Sequence, residues 1–415
     1  MENPETWLRD TILAFPELEE LAKEDKGDSE EVRAAYAELF TAIASRLLNE
    51  TGIFLCFLSL SLSLSPSPLL ILAPTSSCSF VFLLLLPLLR SSFFVFLRSS
   101  SASSSFFLQK MLNVNTAMYI NDKPHRFVEV EFYLKGPFNH IDIFTHCDER
   151  QQTCGKWYFH RTGSGYKGGS YKGMDLTFGG QKPASSKPAV YGGILIRAIQ
   201  PLDPVTNKPT GDLIEGPCLV VDHVLELCDS PSIQDFVGTH CETADVPSAA
   251  TRPGSKLYVA PLDTSSSSSS SSSSNGKAKK KNTDKGKEKK EAEEEEPAPA
   301  QLWASPRVGL SGKKQLDGME YYIMKNYRFH SAPNLMKKGK PNQILALHVS
   351  GKYSVEQICA AMGMKAAGKK TVQGYIADYE KGKKSSKKAK EFFAMKSLST
   401  GAWNELYGVI ARDYF

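Results

Sequence analysis

The chain has 415 residues, room for two or three domains or for one large core. Its formal net charge of +5 averages over segments of opposite sign, so the whole-chain value excludes little by itself. The eight cysteines say more: they form no Cys-x-x-Cys pair and no repeated ligand spacing, which argues against a structural zinc site and a disulfide framework. The first residues, MENPETWLRD, lack a basic stretch followed by an apolar one, so secretion is not indicated and an intracellular, reducing compartment fits best.

Residues 1–50 are acidic, with 13 Asp and Glu against 5 Lys and Arg. Trp7, Leu8, Ile12 and Leu13 recur at helical spacing, and Ser29-Glu-Glu-Val opens a second helix through Tyr36, Phe40, Ile43 and Leu47. The segment reads as a packing or partner-binding element without chemistry of its own. In residues 51–110 roughly three-quarters of the positions are Phe, Leu, Ser or Pro, and no charge occurs between Glu50 and Arg90. The apolar runs fall short of the ~20 residues that a bilayer-crossing helix needs, and Ser/Pro clusters break them. These four residue types share pyrimidine-rich codons, and a pyrimidine tract ending at Gln109, read as the CAG of a splice acceptor, is what a retained intron would encode. The segment is therefore read as translated intron, and a membrane location is expected only if these residues are genuinely expressed.

From 111 to 262 the pattern is that of a globular α+β unit. Arg126–Leu134 alternates as a strand, Tyr191–Ile199 is a second strand entered through a glycine pair, and Gly163–Gly180 reads as turns and short strands. Gly216-Pro217 starts a helix over Cys218–Cys228. Residues 263–300 run from serine to lysine to glutamate and cannot bury enough apolar surface to order themselves. They are expected to be a disordered insertion, whose lysine-rich part suits either a nuclear-localisation signal or a solvated linker. Residues 301–335 close the unit with a loop at Arg307-Val-Gly-Leu310 and a strand over Tyr321–Phe329.

Residues 336–415 read as a basic helical extension. From residue 301 onward 20 Lys and Arg face 8 Asp and Glu, which suits a polyanionic partner or a solvated basic surface. Ser354–Gly363 and Thr371–Ile376 fit either a helix-turn-helix with a long connection containing Lys369-Lys370 or a plain helical hairpin packed on the domain.

Several of these blocks match one family in order. Val128-Glu-Val-Glu-Phe-Tyr-Leu134, the histidine of Phe144-Thr-His-Cys147, Leu195-Ile-Arg-Ala-Ile-Gln-Pro-Leu202, Gly216-Pro217, Arg307-Val-Gly309 and Tyr327-Arg-Phe329 together resemble the methylpurine (3-methyladenine) DNA glycosylases. The likeness covers about half of the chain, residues 112 to 333. It implies an α+β domain with a curved, mainly antiparallel sheet and packed helices, to which this chain adds the helical extension. It further implies a monofunctional hydrolase that excises an alkylated purine flipped out of double-stranded DNA, in base-excision repair in the nucleus, as a monomer without metal or cofactor.

In that reading Glu131 is the general base that activates water, and Arg197 binds backbone phosphate or positions the water. Tyr133 and His146 correspond to residues that pack on or hydrogen-bond the flipped base. Where the family has an aromatic-rich segment, this chain has Gly155–Arg161 and Gly165–Gly173, so Tyr166 and Tyr171 are the candidates for stacking or wedging. Lys167 and Lys172, among glycines that let backbone approach closely, are the candidates for phosphate contact. Read without the family, Glu131 is an ordinary exposed strand carboxylate, Arg197 its structural partner, and the two tyrosines turn residues capping a core. A catalytically silent nucleic-acid-binding protein on the same fold is the alternative function.

Overall fold

The computed structural model describes residues 40–41, 116–136, 140–180, 189–241, 254–262, 301–310 and 318–415. The two N-terminal helices (apart from Phe40 and Thr41), the apolar segment and the 263–300 insertion lie outside the described residues. Among those described, no helix is long and apolar enough to cross a membrane.

The run of β-branched and aromatic residues around Val128 makes Lys123–Lys135 the spine of the sheet, strand β2. It follows β1 (Thr116–Ile120) through a two-residue turn in which Asn121 and Asp122 both have positive φ, as a tight hairpin requires. Further strands are β3 (Trp157–Phe159), the small hairpin β4 (Arg161–Thr162) and β5 (Gly165–Tyr166), β6 (Met174–Thr177) and β7 (Tyr191–Pro201). The last four are β8 (Ile214–Glu215), β9 (Leu257–Pro261), β10 (Trp303–Ser305) and β11 (Arg328–His330). All but β4 and β5 join one curled, wholly antiparallel sheet of order β10-β11-β2-β7-β6-β3, with β1 and β9 extending from β2, and β8 beside β7. The α+β class and the antiparallel curled sheet agree with the sequence reading. The expected strand over Tyr321–Phe329 does not form in full: Glu320–Ile323 is a turn of 3-10 helix, and only Arg328–His330 pairs with β2.

The alternation in β2 and β7 is interrupted once in each. The register steps from Phe127↔Ile199 to Glu129↔Ala198 and then to Val130↔Ile196, so Val128 is the extra residue on one strand and Arg197 on the other. The two bulges shift the parity of the inward set, and Phe127 joins Val130 and Phe132 in the core, as Ile199 joins Ile194 and Ile196. The backbone groups they free are used: Gly216 N–H donates to the Arg197 carbonyl, and Ser331 N–H to that of Val128.

Helix α1 (Pro217–Leu227) begins with proline in its first turn, and α2 (Ile233–His240) is capped by Ser232; both bury valines or phenylalanine in the main core. Phe40 also reaches that core, stacked on Phe132 with ring centroids 4.7 Å apart. The extension contains α3 (Lys340–Val349), α4 (Val355–Ala361), α5 (Gly368–Lys384), α6 (Ala389–Phe393) and α7 (Thr400–Tyr414). Tyr379, Phe392, Leu406 and Ile410 belong to the same core as the sheet, so the extension is packed into the domain.

Helices α5 and α7 touch backbone to backbone. A β-carbon added at Gly382 would lie 1.9 Å from the Glu405 carbonyl oxygen, and one at Gly408 would lie 1.9 Å from that of Tyr379. Neither side has a flexible atom to give way. Gly374, on the same helix, faces open space. Gly408→Ala is expected to lower stability by about 1–3 kcal/mol through overpacking, and Gly374→Ala to raise it by about 0.5–1 kcal/mol through helix propensity. Urea denaturation of the two variants measures both signs, and equal effects would show that the crossing is looser than this.

Candidate functional site

The glutamates that the sequence places on one side of β2 are fully buried, so the exposed-carboxylate reading of Glu131 does not hold. Three donors converge on Glu131: the Tyr133 hydroxyl at 2.8 Å and Arg197 Nη1 at 3.3 Å on Oε2, and the Val308 backbone N–H at 2.7 Å on Oε1. Glu129 Oε1 accepts from Arg197 Nε at 2.8 Å and from Arg328 Nε at 2.6 Å. Arg197 thus bridges the two glutamates from its bulge. Beside them Arg307 pairs with Asp142 at 2.5 Å, also donates to the Phe132 carbonyl, and lies 4.5 Å from the centre of the Tyr133 ring. Burial works against the charge on Arg197, but Glu131 and Glu129 outweigh it and hold its pKa above the ordinary guanidinium value. Burial, reinforced by the adjoining Glu131, pushes the Tyr133 phenol well above its usual range and keeps it a donor.

A cavity of about 220 Å³ opens next to this network. Tyr133, Phe144 and His146 supply aromatic walls; Gln151, His160 and Asp175 supply polar ones; Leu195, Gly309 and Leu310 complete it. Asp175, on β6, is buried; its Oδ1 lies 2.8 Å from His160 Nε2, and its Oδ2 accepts from Gln151 Nε2 at 3.2 Å. Gln151 is itself fixed by the 3-10 turn Glu149–Gln152, where its Oε1 accepts from the Asp148 backbone N–H in a capping box. The second residue of the glycine pair in β7 makes room for this arrangement: a β-carbon at Gly193 would lie 2.5 Å from Asp175 Oδ2 and 2.8 Å from Gln151 Nε2. The rings of His146 and His160 are 4.4 Å apart, so two imidazoles and one carboxylate share a single wall.

The structure therefore gathers some of the expected residues and disperses others. Tyr133 and His146 line the cavity, whereas Glu131 and Arg197 lie behind Tyr133 and do not border it. Lys167 Nζ is 3.4 Å from His146 Nε2, at the exposed side. Lys172 pairs with Asp222 on α1, which leaves it a poorer candidate for phosphate contact. Tyr166 is half-buried against Phe159 with the Arg161 guanidinium 4.2 Å above its ring, and Tyr171 is 77% exposed on a 3-10 turn; neither lines the cavity. Tyr166, in β5, packs against the core as the sequence also allowed, whereas Tyr171 caps no core. Missing from the sequence reading were Glu129 as a charge partner, and Gln151, His160 and Asp175 as cavity residues. The glycine pair Gly192-Gly193 was their one visible signal, since consecutive glycines in a buried strand mark a close approach. Among the described residues no cluster of three or more His, Cys, Asp or Glu is placed to hold a metal ion.

No family model matches the chain. A stretch of 125 residues is 39% identical to the protein named Uncharacterized protein L759 from Acanthamoeba polyphaga mimivirus, covering 28% of this chain and 55% of that protein. The chain thus spans about half the length of the curated relative it matches. That name carries no activity to compare.

The shared use of one carboxylate oxygen by two buried guanidiniums makes Glu129 the sensitive member of the network. Glu129→Leu is expected to cost about 3–5 kcal/mol, because it strands Arg197 and Arg328 without their common acceptor. Glu131→Gln is expected to cost less, since an amide oxygen still accepts a hydrogen bond and Arg197 retains Glu129. Urea denaturation near neutral pH ranks the two, and a Glu129→Leu protein as stable as the parent would remove Glu129 from this role.

Proposed function

We propose that the chain is a monofunctional DNA glycosylase of the methylpurine type, which hydrolyses the N-glycosidic bond of a damaged purine flipped out of duplex DNA. The observation that carries this reading is the placement of the Glu131 carboxylate, held by three donors, directly behind an aromatic-walled cavity. A cavity of roughly 150 Å³ accepts benzene, so about 220 Å³ suits a bicyclic base. Tyr133, Phe144 and His146 line it, and stacking of the base on aromatic side chains would offset the cost of unstacking it from the duplex.

In the reaction a water oxygen bonds to C1′ as the C1′–N bond breaks. The bonding pair leaves on the base, and the water proton passes to Glu131. Arg197, fixed by both glutamates, orients that carboxylate. Gln151, His160 and Asp175 would meet the polar edge of the base. Nuclear base-excision repair is the setting that this activity implies.

A second reading, a catalytically silent nucleic-acid-binding protein, draws on a specific observation: Glu131 has no exposed surface and does not border the cavity. Catalytic hydrogen bonds often rearrange when substrate binds, and here the required movement is of Tyr133 away from Glu131.

The two readings separate in a base-release assay. Protein lacking residues 51–110 is incubated with duplex DNA carrying methylated, deaminated or etheno-modified purines. Release by the parent is expected, with a loss of at least about a hundredfold in Glu131→Gln, the scale of general-base catalysis, and with DNA binding preserved. Binding without release from any lesion would establish the silent reading instead.

A further inference from the structure

The helices α3, α4 and α5 enclose a small core of their own, separate from the main one and built on Ile344, Leu347, Ile358, Met362 and Val372. Helix α4 is opened by a capping box, with Ser354 Oγ accepting from the Gln357 backbone N–H, and is left at Gly363, which has φ +61°. Three helices around one core, the last two joined by residues 362–367, give the frame of a helix-turn-helix with a lengthened turn. Lys369 and Lys370, expected in that connection, lie in the first turn of α5 instead.

The decisive feature is the outer face of α5. Lys370, Gln373, Gly374, Ala377, Lys381 and Lys384 recur at spacings of three and four and are all exposed, while Val372, Tyr379 and Gly382 are buried on the opposite side. The middle of the stripe is small: a β-carbon at Gly374 would meet nothing within 4 Å. Its ends are cationic. Lys381 shares Glu405 with Lys387, and Lys369, at the stripe's edge, pairs with Glu356. Lys370 and Lys384 have no ion pair among the described residues. Asp378 and Glu380 are half-buried at the flanks, Glu380 within 3.6 Å of His348. Between residues 336 and 415 fifteen Lys and Arg face six Asp and Glu.

A helix with small residues along its centre and lysines at both ends lacks the apolar face that a lipid surface selects. It matches the major groove of B-form DNA, which is wide enough for a helix and bordered by phosphates. Gln373 stands on the stripe near the helix start, where such helices meet base edges, and a glutamine amide can pair with adenine.

We propose that α3–α5 form a second binding site for duplex DNA, apart from the cavity, with α5 in the major groove, Gln373 at base edges and Lys370 and Lys384 at phosphates. The proposal does not depend on Glu131 or on base excision, since none of its residues lines the cavity.

The test is fluorescence anisotropy of the full chain with an undamaged duplex of about two helical turns, over a salt series. K370E/K384E is expected to weaken binding at least tenfold and to flatten the dependence of log K on log salt by about two. A377E, which places a carboxylate in the groove, is expected to weaken it comparably. All three positions are exposed, so unchanged thermal melting serves as the folding control. Affinity within twofold of the parent in both variants would overturn the proposal. So would a preference for duplex RNA, whose deep, narrow major groove excludes a helix. Because the DNA is undamaged, neither result bears on base release, and failure of that activity leaves this measurement intact.

Discussion

The structure depends on a buried set of opposite charges. Glu129, Glu131 and Asp142 face Arg197, Arg307 and Arg328 within the sheet and its adjoining loops, and every one of the six is buried. Removing each ion from water costs several kcal/mol, and only close pairing compensates for it. The pairing therefore constrains the chain far more than its net energy suggests. A slip of one residue between β2 and β7 would turn the glutamates toward the aliphatic core and leave the arginines alone. The paired bulges at Val128 and Arg197 reconcile this demand with the core, because they let Phe127 and Ile199 face inward while Arg197 reaches both glutamates.

The same charges anchor the parts that sequence alone would treat as appendages. Arg328 binds Glu129 with Nε and spends its remaining nitrogens on the carbonyls of Lys338 and Gly339, where α3 begins. Glu215, at the end of β8, accepts the backbone N–H groups of Lys337 and Lys338. Asn342 on α3 donates to the Arg307 carbonyl and to the Tyr407 hydroxyl, so the loop that carries Val308 to Glu131 is tied to α3 and α7. Helical extension and cavity loop thus share one fixed point. A change in the packing of α7 has a short physical route to the Glu131 carboxylate.

The long strands and the glycine-proline helix start were legible because each rests on local pattern: period-two alternation in β2, a β-branched run in β7, and proline in the first turn of α1. Local pattern also misled. Tyr321–Phe329 alternates well enough for a strand, but the Tyr322 hydroxyl accepts from the Ile141 backbone N–H and the Tyr322 carbonyl accepts from Arg307, so tertiary hydrogen bonds hold Glu320–Ile323 as a 3-10 turn. The cavity was half legible. Tyr133 and His146 came from a family likeness, whereas Gln151 comes from a 3-10 turn, His160 from the link between β3 and β4, and Asp175 from β6, and their meeting is a property of the fold. The register shift that places Arg197 leaves no trace in composition, because a bulge changes which residues face each other without changing what they are.

Tyr133 joins the two halves of the candidate site. Its ring lines the cavity and carries the Arg307 guanidinium nearby, while its hydroxyl donates to Glu131. Burial and the neighbouring carboxylate keep that phenol protonated, so it remains a donor throughout the physiological range. The hydroxyl that holds Glu131 thus belongs to a ring that lines the cavity. The other two donors on Glu131 come from Arg197 and Val308, which do not line the cavity themselves.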